Sequence, residues 1–66
     1  MTKYNYLTLK DEHKSLKQIK SIINLISADV NNEQIQENLQ SIVSHLELAT
    51  SCLDAVLKIA EEIIAD

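Results

Sequence analysis

The side chains most able to do chemistry in this chain are two imidazoles and one thiol, those of His13, His45 and Cys52. Imidazole and thiolate groups are the usual ligands of zinc, and a thiolate can also act as a nucleophile. The sequence has no HExxH motif and no second cysteine, and it gives Cys52 no evident base or oxyanion hole. We therefore predict no catalytic residue, no metal site and no cofactor, and we expect a protein that is not an enzyme.

Four lysines form a basic ridge in the first half of the chain. On a helical wheel, Lys3, Lys10, Lys14 and Lys17 fall within about 60°. Such a ridge could contact the phosphates of RNA or DNA. However, it contains no arginine, and no aromatic residue lies between Lys10 and Lys17. The ridge therefore has few side chains that could bind the edges of bases or stack on them. Two interpretations stay open, a nucleic-acid contact and a solvated face, and we prefer the second.

The second half of the chain is acidic. The net charge is −4, yet residues 1–28 hold five lysines against two carboxylates, whereas residues 29–66 hold eight carboxylates against Lys58. One face of the second half carries Glu33, Glu37, Glu47, Asp54, Glu61 and Glu62. A row of carboxylates can mimic a nucleic-acid backbone, as in some phage inhibitors, but acidic helix faces commonly serve only solubility. Nucleic-acid mimicry is therefore a further alternative.

The elements that carry these residues must be helices, because the 66 residues include no glycine and no proline. Tight turns with positive φ, phosphate-binding loops and dinucleotide-binding turns all depend on glycine. We predict a single all-α domain over residues 1–66, an antiparallel helical hairpin. Helix 1 is expected over residues 8–29, because Thr8 and Asp11 resemble a capping box, and residues 1–7 form either a tail or an extension of this helix that starts at Thr2.

A turn is predicted at residues 28–32, where Asn31 or Asn32 is a good N-cap for the second helix. One continuous bent helix is the alternative. The second helix is expected over residues 32–65, and its apolar residues alternate by four and three, as in bundles and coiled coils. They are Ile35, Leu39, Ile42, Leu46, Ala49, Leu53, Val56, Ala60 and Ile63. The matching stripe of helix 1 is Leu9, Leu16, Ile19, Ile23, Ile26 and Val30.

The end of the second helix is more apolar than contact with one neighbouring helix requires. With a short turn, facing residue numbers should sum to about 61, so helix 1 ends opposite Leu53 and leaves an overhang of about 18 Å. From Leu48 onward the apolar arc widens to roughly 180°, and Tyr4, Tyr6 and Leu7 could cover only part of it. We predict a homodimeric four-helix bundle, with a different protein partner as the alternative. The predicted interface residues are Leu48, Cys52, Val56, Ile59 and Ile63.

In its length, its predicted helical hairpin and its negative net charge, the chain resembles the Rop family, which are small dimeric hairpin regulators of plasmid copy number. That resemblance implies a dimeric bundle and RNA binding through the first helices. No specific motif is shared, and the aromatic residue that the family uses on the helix 1 face is absent here. The expected function is a non-enzymatic protein-interaction module, a small bacterial or phage regulator or inhibitor. We expect it in the cytoplasm, since it has one cysteine and no apolar run long enough for a membrane.

Overall fold

The computed structural model describes residues 1–64, and it confirms the all-α helical hairpin. Helix α1 spans Lys3–Asp29 and helix α2 spans Glu33–Ile63. Residues 30–32 connect the two helices, which run antiparallel. The molecule is elongated, with extents of 50 × 14 × 10 Å and a radius of gyration of 15.2 Å, against about 11 Å for a compact domain of this length.

Helix α1 begins at Lys3, not at Thr8 as predicted. Thr2 is the N-cap, and its Oγ1 accepts a hydrogen bond of 3.2 Å from the backbone N–H of Asn5. The Thr8 hydroxyl instead donates to the carbonyl oxygen of Tyr4 at 3.0 Å, a bond typical of threonine inside a helix. Residues 3–7 therefore extend helix 1, which is one of the two possibilities that the sequence left open.

The connection reverses the chain without a left-handed residue. Val30 is extended, and no residue within 1–64 has a positive φ, which explains how a chain without glycine makes this turn. Asn32 is the N-cap of α2, and its Oδ1 accepts from the N–H of Ile35 at 3.0 Å. The side-chain amide of Gln36 donates to the carbonyl oxygens of Ser27 and Val30, so α2 caps the end of α1.

Helix α2 ends at Ile63, because Ile64 is extended. The predicted end at Ala65 lies outside the described residues.

Four side-chain contacts, which we call the polar ladder, show the register of the hairpin. Its rungs are Tyr6 with Glu61 (2.8 Å), His13 with Asp54 (3.9 Å), Lys20 with Glu47 (3.3 Å) and Ser27 with Gln40 (3.0 Å). Successive rungs are seven residues apart on each helix, and the residue numbers of every pair sum to 67. The predicted sum of 61 was therefore wrong.

The corrected register removes the predicted overhang. A sum of 67 sets Lys3 about level with Ile64, so α1 accompanies α2 to its end. Two features of the structure explain why the predicted overhang is absent. The extended connection lets the first turn of α2 lie beyond Asp29, and α1 begins five residues earlier than expected.

The densest packing lies where the overhang was expected. Tyr6, Leu57 and Ala60 are buried there, and Leu9, Leu53 and Ile64 pack against them. Tyr4, Tyr6 and Leu7 were expected to cover part of the apolar end of α2, and of these three side chains only Tyr6 is buried. Tyr4 is 79% exposed and Leu7 is 48% exposed. Toward the connection, Val43 is the buried apolar side chain, and Ser27 is buried beside Gln40.

We expect the replacement Thr2→Ala to lower the free energy of unfolding by about 1 kcal/mol, because it removes an N-cap. The matched change Thr8→Ala should alter it by less than about 0.5 kcal/mol, because Thr8 lies inside the helix on the surface. Urea unfolding followed by circular dichroism, at one fixed protein concentration, measures both values. A larger loss from Thr8→Ala than from Thr2→Ala would contradict the observed helix start.

Candidate functional site, an unpartnered apolar face

The most prominent surface feature of the hairpin is a row of apolar side chains along α2. Its members are seven residues apart and all exposed: Ile35, Ile42, Ala49, Val56 and Ile63. We call it the apolar row. The sequence assigned these residues to the contact between the helices, but the structure places them outside it.

Only one of the two rows of apolar side chains that make up the four-three repeat of α2 therefore packs against α1. The row of Leu39, Leu46, Leu53 and Ala60 does lie in the seam, as predicted. The second seam row contains Val43, Leu57 and Ile64 instead of the apolar row. The cause is geometric, since α2 has three adjacent apolar rows and one helical neighbour covers two of them. The contacts of the polar ladder place α1 over the side of α2 that carries Val43.

All five predicted interface residues lie on one exposed flank of α2. Val56 and Ile63 belong to the apolar row, and the neighbouring Leu48, Cys52 and Ile59 widen it toward the chain end. Ile59 is 62% exposed and Leu48 is 64% exposed. On a helical wheel the five span about 80°, which is narrow enough for one neighbouring helix to contact all of them.

Helix α1 contributes three further isoleucines, Ile19, Ile22 and Ile26, all exposed. They lie on the side of the α1 seam away from the ladder residue Lys20, and the apolar row likewise lies on the side of the α2 seam away from the ladder. Both sets therefore border the same side of the hairpin, and together we call them the apolar face. The sequence placed Ile19 and Ile26 in the contact between the helices and gave no role to Ile22.

The opposite side of the hairpin carries the basic ridge. Lys3, Lys10, Lys14 and Lys17 are all exposed there, so the structure does bring the basic ridge together. The Lys10 ammonium lies over the ring of Tyr6, 5.6 Å from its centre.

The acidic face predicted for the second half does not stay together as an outer row. Glu47, Asp54 and Glu61 turn toward α1 as members of the ladder, and Asp54 also pairs with Lys58 at 3.4 Å. Among the lysines of α1, Lys20 pairs with one of these carboxylates, that of Glu47. The sequence signal for the ladder was its spacing of seven on each helix, which becomes meaningful only once the register is known.

The histidines and the thiol do not converge. His13 lies in the ladder, whereas the His45 ring contacts its own helix, with Nδ1 2.7 Å from the Ser41 carbonyl oxygen. Cys52 is exposed on the apolar face. Within residues 1–64 no three histidine, cysteine or carboxylate side chains are grouped to hold a metal ion.

A shallow cleft of about 220 Å³ opens beside the His13 rung of the ladder. It is lined by His13, Lys17, Thr50, Ser51 and Asp54. The cleft is largely open to solvent, and its basic and acidic side chains face each other. The Thr50 hydroxyl already donates to backbone carbonyl oxygens of its own helix. The cleft thus offers little enclosure or net charge to a small ligand.

Within the described residues, neither helix is long and apolar enough to cross a membrane.

Comparisons with protein-family models, with curated proteins and with solved structures give no match. The likeness to the Rop family is therefore limited to length, hairpin plan and acidic charge.

The rung formed by Tyr6 and Glu61 has a measurable acid–base property. The Tyr6 hydroxyl donates to Glu61 Oε1 at 2.8 Å. This hydrogen bond raises the pKa of Tyr6 above 10.0, and desolvation and the negative charge of Glu61 act in the same direction. The folded protein thus holds this proton more tightly than the unfolded chain. The resulting stabilisation is complete below pH 10 and is lost as the pH rises through the raised pKa.

We expect Glu61→Gln to lower the pKa of Tyr6, because it removes the carboxylate that holds the proton. Tyrosinate absorbance during a pH titration reports this value, in a Tyr4→Phe background where Tyr6 is the only tyrosine. The matched control is Glu62→Gln, one residue along the helix, and it should leave the titration unchanged. Equal effects from the two glutamine variants would show that the hydrogen bond does not control the titration.

Proposed function

We propose that this protein is a non-enzymatic protein-interaction module that acts as a homodimer, in which two hairpins pack through their apolar faces into a four-helix bundle. The observation that carries the proposal is the apolar face itself. It extends along most of α2 and includes the middle and end of α1. Exposed apolar patches of this extent mark interaction surfaces, because leaving them in water is unfavourable.

The surface area of the chain supports a partner of about its own size. The hairpin exposes 5040 Å², whereas a compact monomer of 7.5 kDa is expected to expose roughly 4200 Å². The excess of about 800 Å² equals what each partner typically buries in a stable protein–protein interface. A second hairpin laid along the apolar face would remove surface on this scale.

The small core of the hairpin supports the same conclusion. Tyr6, Val43, Leu57 and Ala60 are its only buried apolar side chains within the described residues, and none of the large ones is completely enclosed. A chain of 66 residues without disulfide or metal has difficulty offsetting the entropy of folding with so little burial. Dimerisation would supply the missing core, so folding and association would be coupled.

In this dimer the two polar faces point outward, one on each side of the bundle. They present lysines, carboxylates and few enclosed pockets, which suits contact with another macromolecule better than catalysis. We assign the protein to the class of small bacterial or phage regulators or inhibitors, acting in the cytoplasm, where its single thiol would stay reduced.

The charge layout favours a protein partner over nucleic acid. The ridge lysines lie next to the ladder, which holds the carboxylates of Glu47, Asp54 and Glu61, so phosphates approaching the ridge would meet carboxylates nearby. Specific nucleic-acid contacts usually rely on basic surface and on arginine, and this chain contains no arginine.

We expect Ile59→Asp to weaken dimerisation about a hundredfold or more, because each interface would then have to bury a carboxylate. Leu25→Asp is the matched control. Leu25 is 73% exposed, compared with 62% for Ile59, but it lies on the outer side of α1 away from the apolar face. Sedimentation equilibrium measures both variants against the parent protein.

Two results would contradict the proposal. One is a parent protein that stays monomeric at every concentration and melts at a temperature independent of concentration. The other is an Ile59→Asp variant with the same association constant as the Leu25→Asp variant, which would show that the apolar face is not the interface.

We further expect no retardation of RNA or duplex DNA by the parent protein in a gel assay, even at low salt, since its ridge contains no arginine and lies next to the carboxylates of the ladder. The double variant Lys10→Glu/Lys14→Glu should behave in the same way. Retardation by the parent protein that disappears in the double variant would instead favour the nucleic-acid function of the basic ridge.

A further inference from the structure

The apolar row of α2 is symmetric about its central residue. Ala49 lies in the middle, Ile42 and Val56 lie seven residues to either side, and Ile35 and Ile63 lie fourteen residues away. Branched side chains thus flank one small side chain at equal distances. A row with this layout matches its own copy when the copy runs in the opposite direction.

Two identical hairpins can form a closed four-helix bundle about a two-fold axis in two ways. If the axis runs along the bundle, each α1 packs on the α2 of the other copy, and both connections lie at one end. If the axis is perpendicular to the bundle, α2 packs antiparallel on α2 and α1 on α1. The connections then lie at opposite ends.

The axis along the bundle gives a poor match for α2. With the register that sums to 67, the wide apolar end of α2 would lie about level with the first half of the partner's α1. The flank of α1 that borders the apolar face is polar there, with Asn5 and Thr8. Ile59 and Ile63 would thus be covered by polar side chains, which would lose their contact with water without gaining hydrogen-bond partners.

The perpendicular axis gives α2 an apolar partner along the whole row. When facing residue numbers sum to 98, Ile35 meets the partner's Ile63, Ile42 meets the partner's Val56, and Ala49 meets its own copy. The small side chain at the centre allows the two helices to approach closely where they cross. The carboxylates of α2 within residues 33–63 all lie on other rows, so none is buried by this contact.

The same axis brings the middle of α1 against its own copy. Ala49 is about level with Gln18, so the axis passes close to Ile19, which would contact its own copy. Glu12, seven residues earlier on this flank, lies near an apolar side chain in either arrangement and does not distinguish them.

We propose that the two-fold axis of the dimer passes beside Ala49, perpendicular to the helices, so that α2 packs antiparallel on the α2 of a second copy and α1 on α1. This inference rests on the proposed homodimer and adds its geometry.

Disulfide crosslinking tests this geometry. In a Cys52→Ser background, which removes the native thiol, the variants Ala49→Cys and Ile19→Cys are mixed, denatured, refolded together and mildly oxidised. Both positions are exposed in the hairpin, so the fold should tolerate them. With the perpendicular axis, each cysteine lies beside its own copy, close enough for a disulfide. We expect homodisulfides of both variants and almost no mixed disulfide.

The other outcomes overturn the inference in distinguishable ways. Mixed disulfides in place of homodisulfides would establish the axis along the bundle and leave the homodimer intact. A dimeric mass with neither kind of disulfide would show that Ala49 does not lie at the axis. A monomeric mass for the parent protein in sedimentation equilibrium would overturn the homodimer together with its geometry.

Discussion

The polar ladder determines which surface of α2 is buried. The pair of Lys20 and Glu47 lies at the surface, where an ion pair contributes at most about 1 kcal/mol, and the rungs of Tyr6 and Ser27 are part-buried hydrogen bonds of about 1 kcal/mol each. Their importance lies in rotation rather than in stability. Because Tyr6, His13 and Lys20 reach the carboxylates of α2 on one side, α1 settles over the rows of Leu53 and Leu57. The row that begins with Ile35 is then left uncovered, and with it the surface on which a function can be built.

Much of the hairpin was predictable from local signals. The absence of glycine and proline and the turn before Asn32 are local signals, and the structure agrees with them. The four-three repeat of α2 predicted the helix, but only its Leu39 row packs against α1. The helix start was not predictable in this way, since Thr2 and Thr8 are both acceptable N-caps. The choice depends on Tyr6, which gains burial against Leu57 only if α1 extends that far.

The apolar flank of α2 could be located from the sequence, but its full extent could not. Leu48, Cys52 and Ile59 are distinguished by the widening apolar arc, which is a property of one helix. The exposure of Ile35 and Ile42, in contrast, follows from the side on which α1 packs. That side is set by contacts between residues up to 55 positions apart, Tyr6 and Glu61 being the most distant pair. Patterns within one helix contain no information about such contacts.

The even spacing of the ladder has a consequence for how the hairpin aligns. If α1 slid by seven residues, His13 would meet Glu61 and Lys20 would meet Asp54, so these two of the four rungs would each find a new carboxylate partner. The ladder alone therefore sets the rotation of α1 about its own axis but permits more than one position of α1 along α2. Two features at opposite ends of the hairpin select the observed position. The connection capped by Gln36 limits how far the helices can separate, and the Tyr6, Leu57 and Ala60 cluster closes only in the observed alignment.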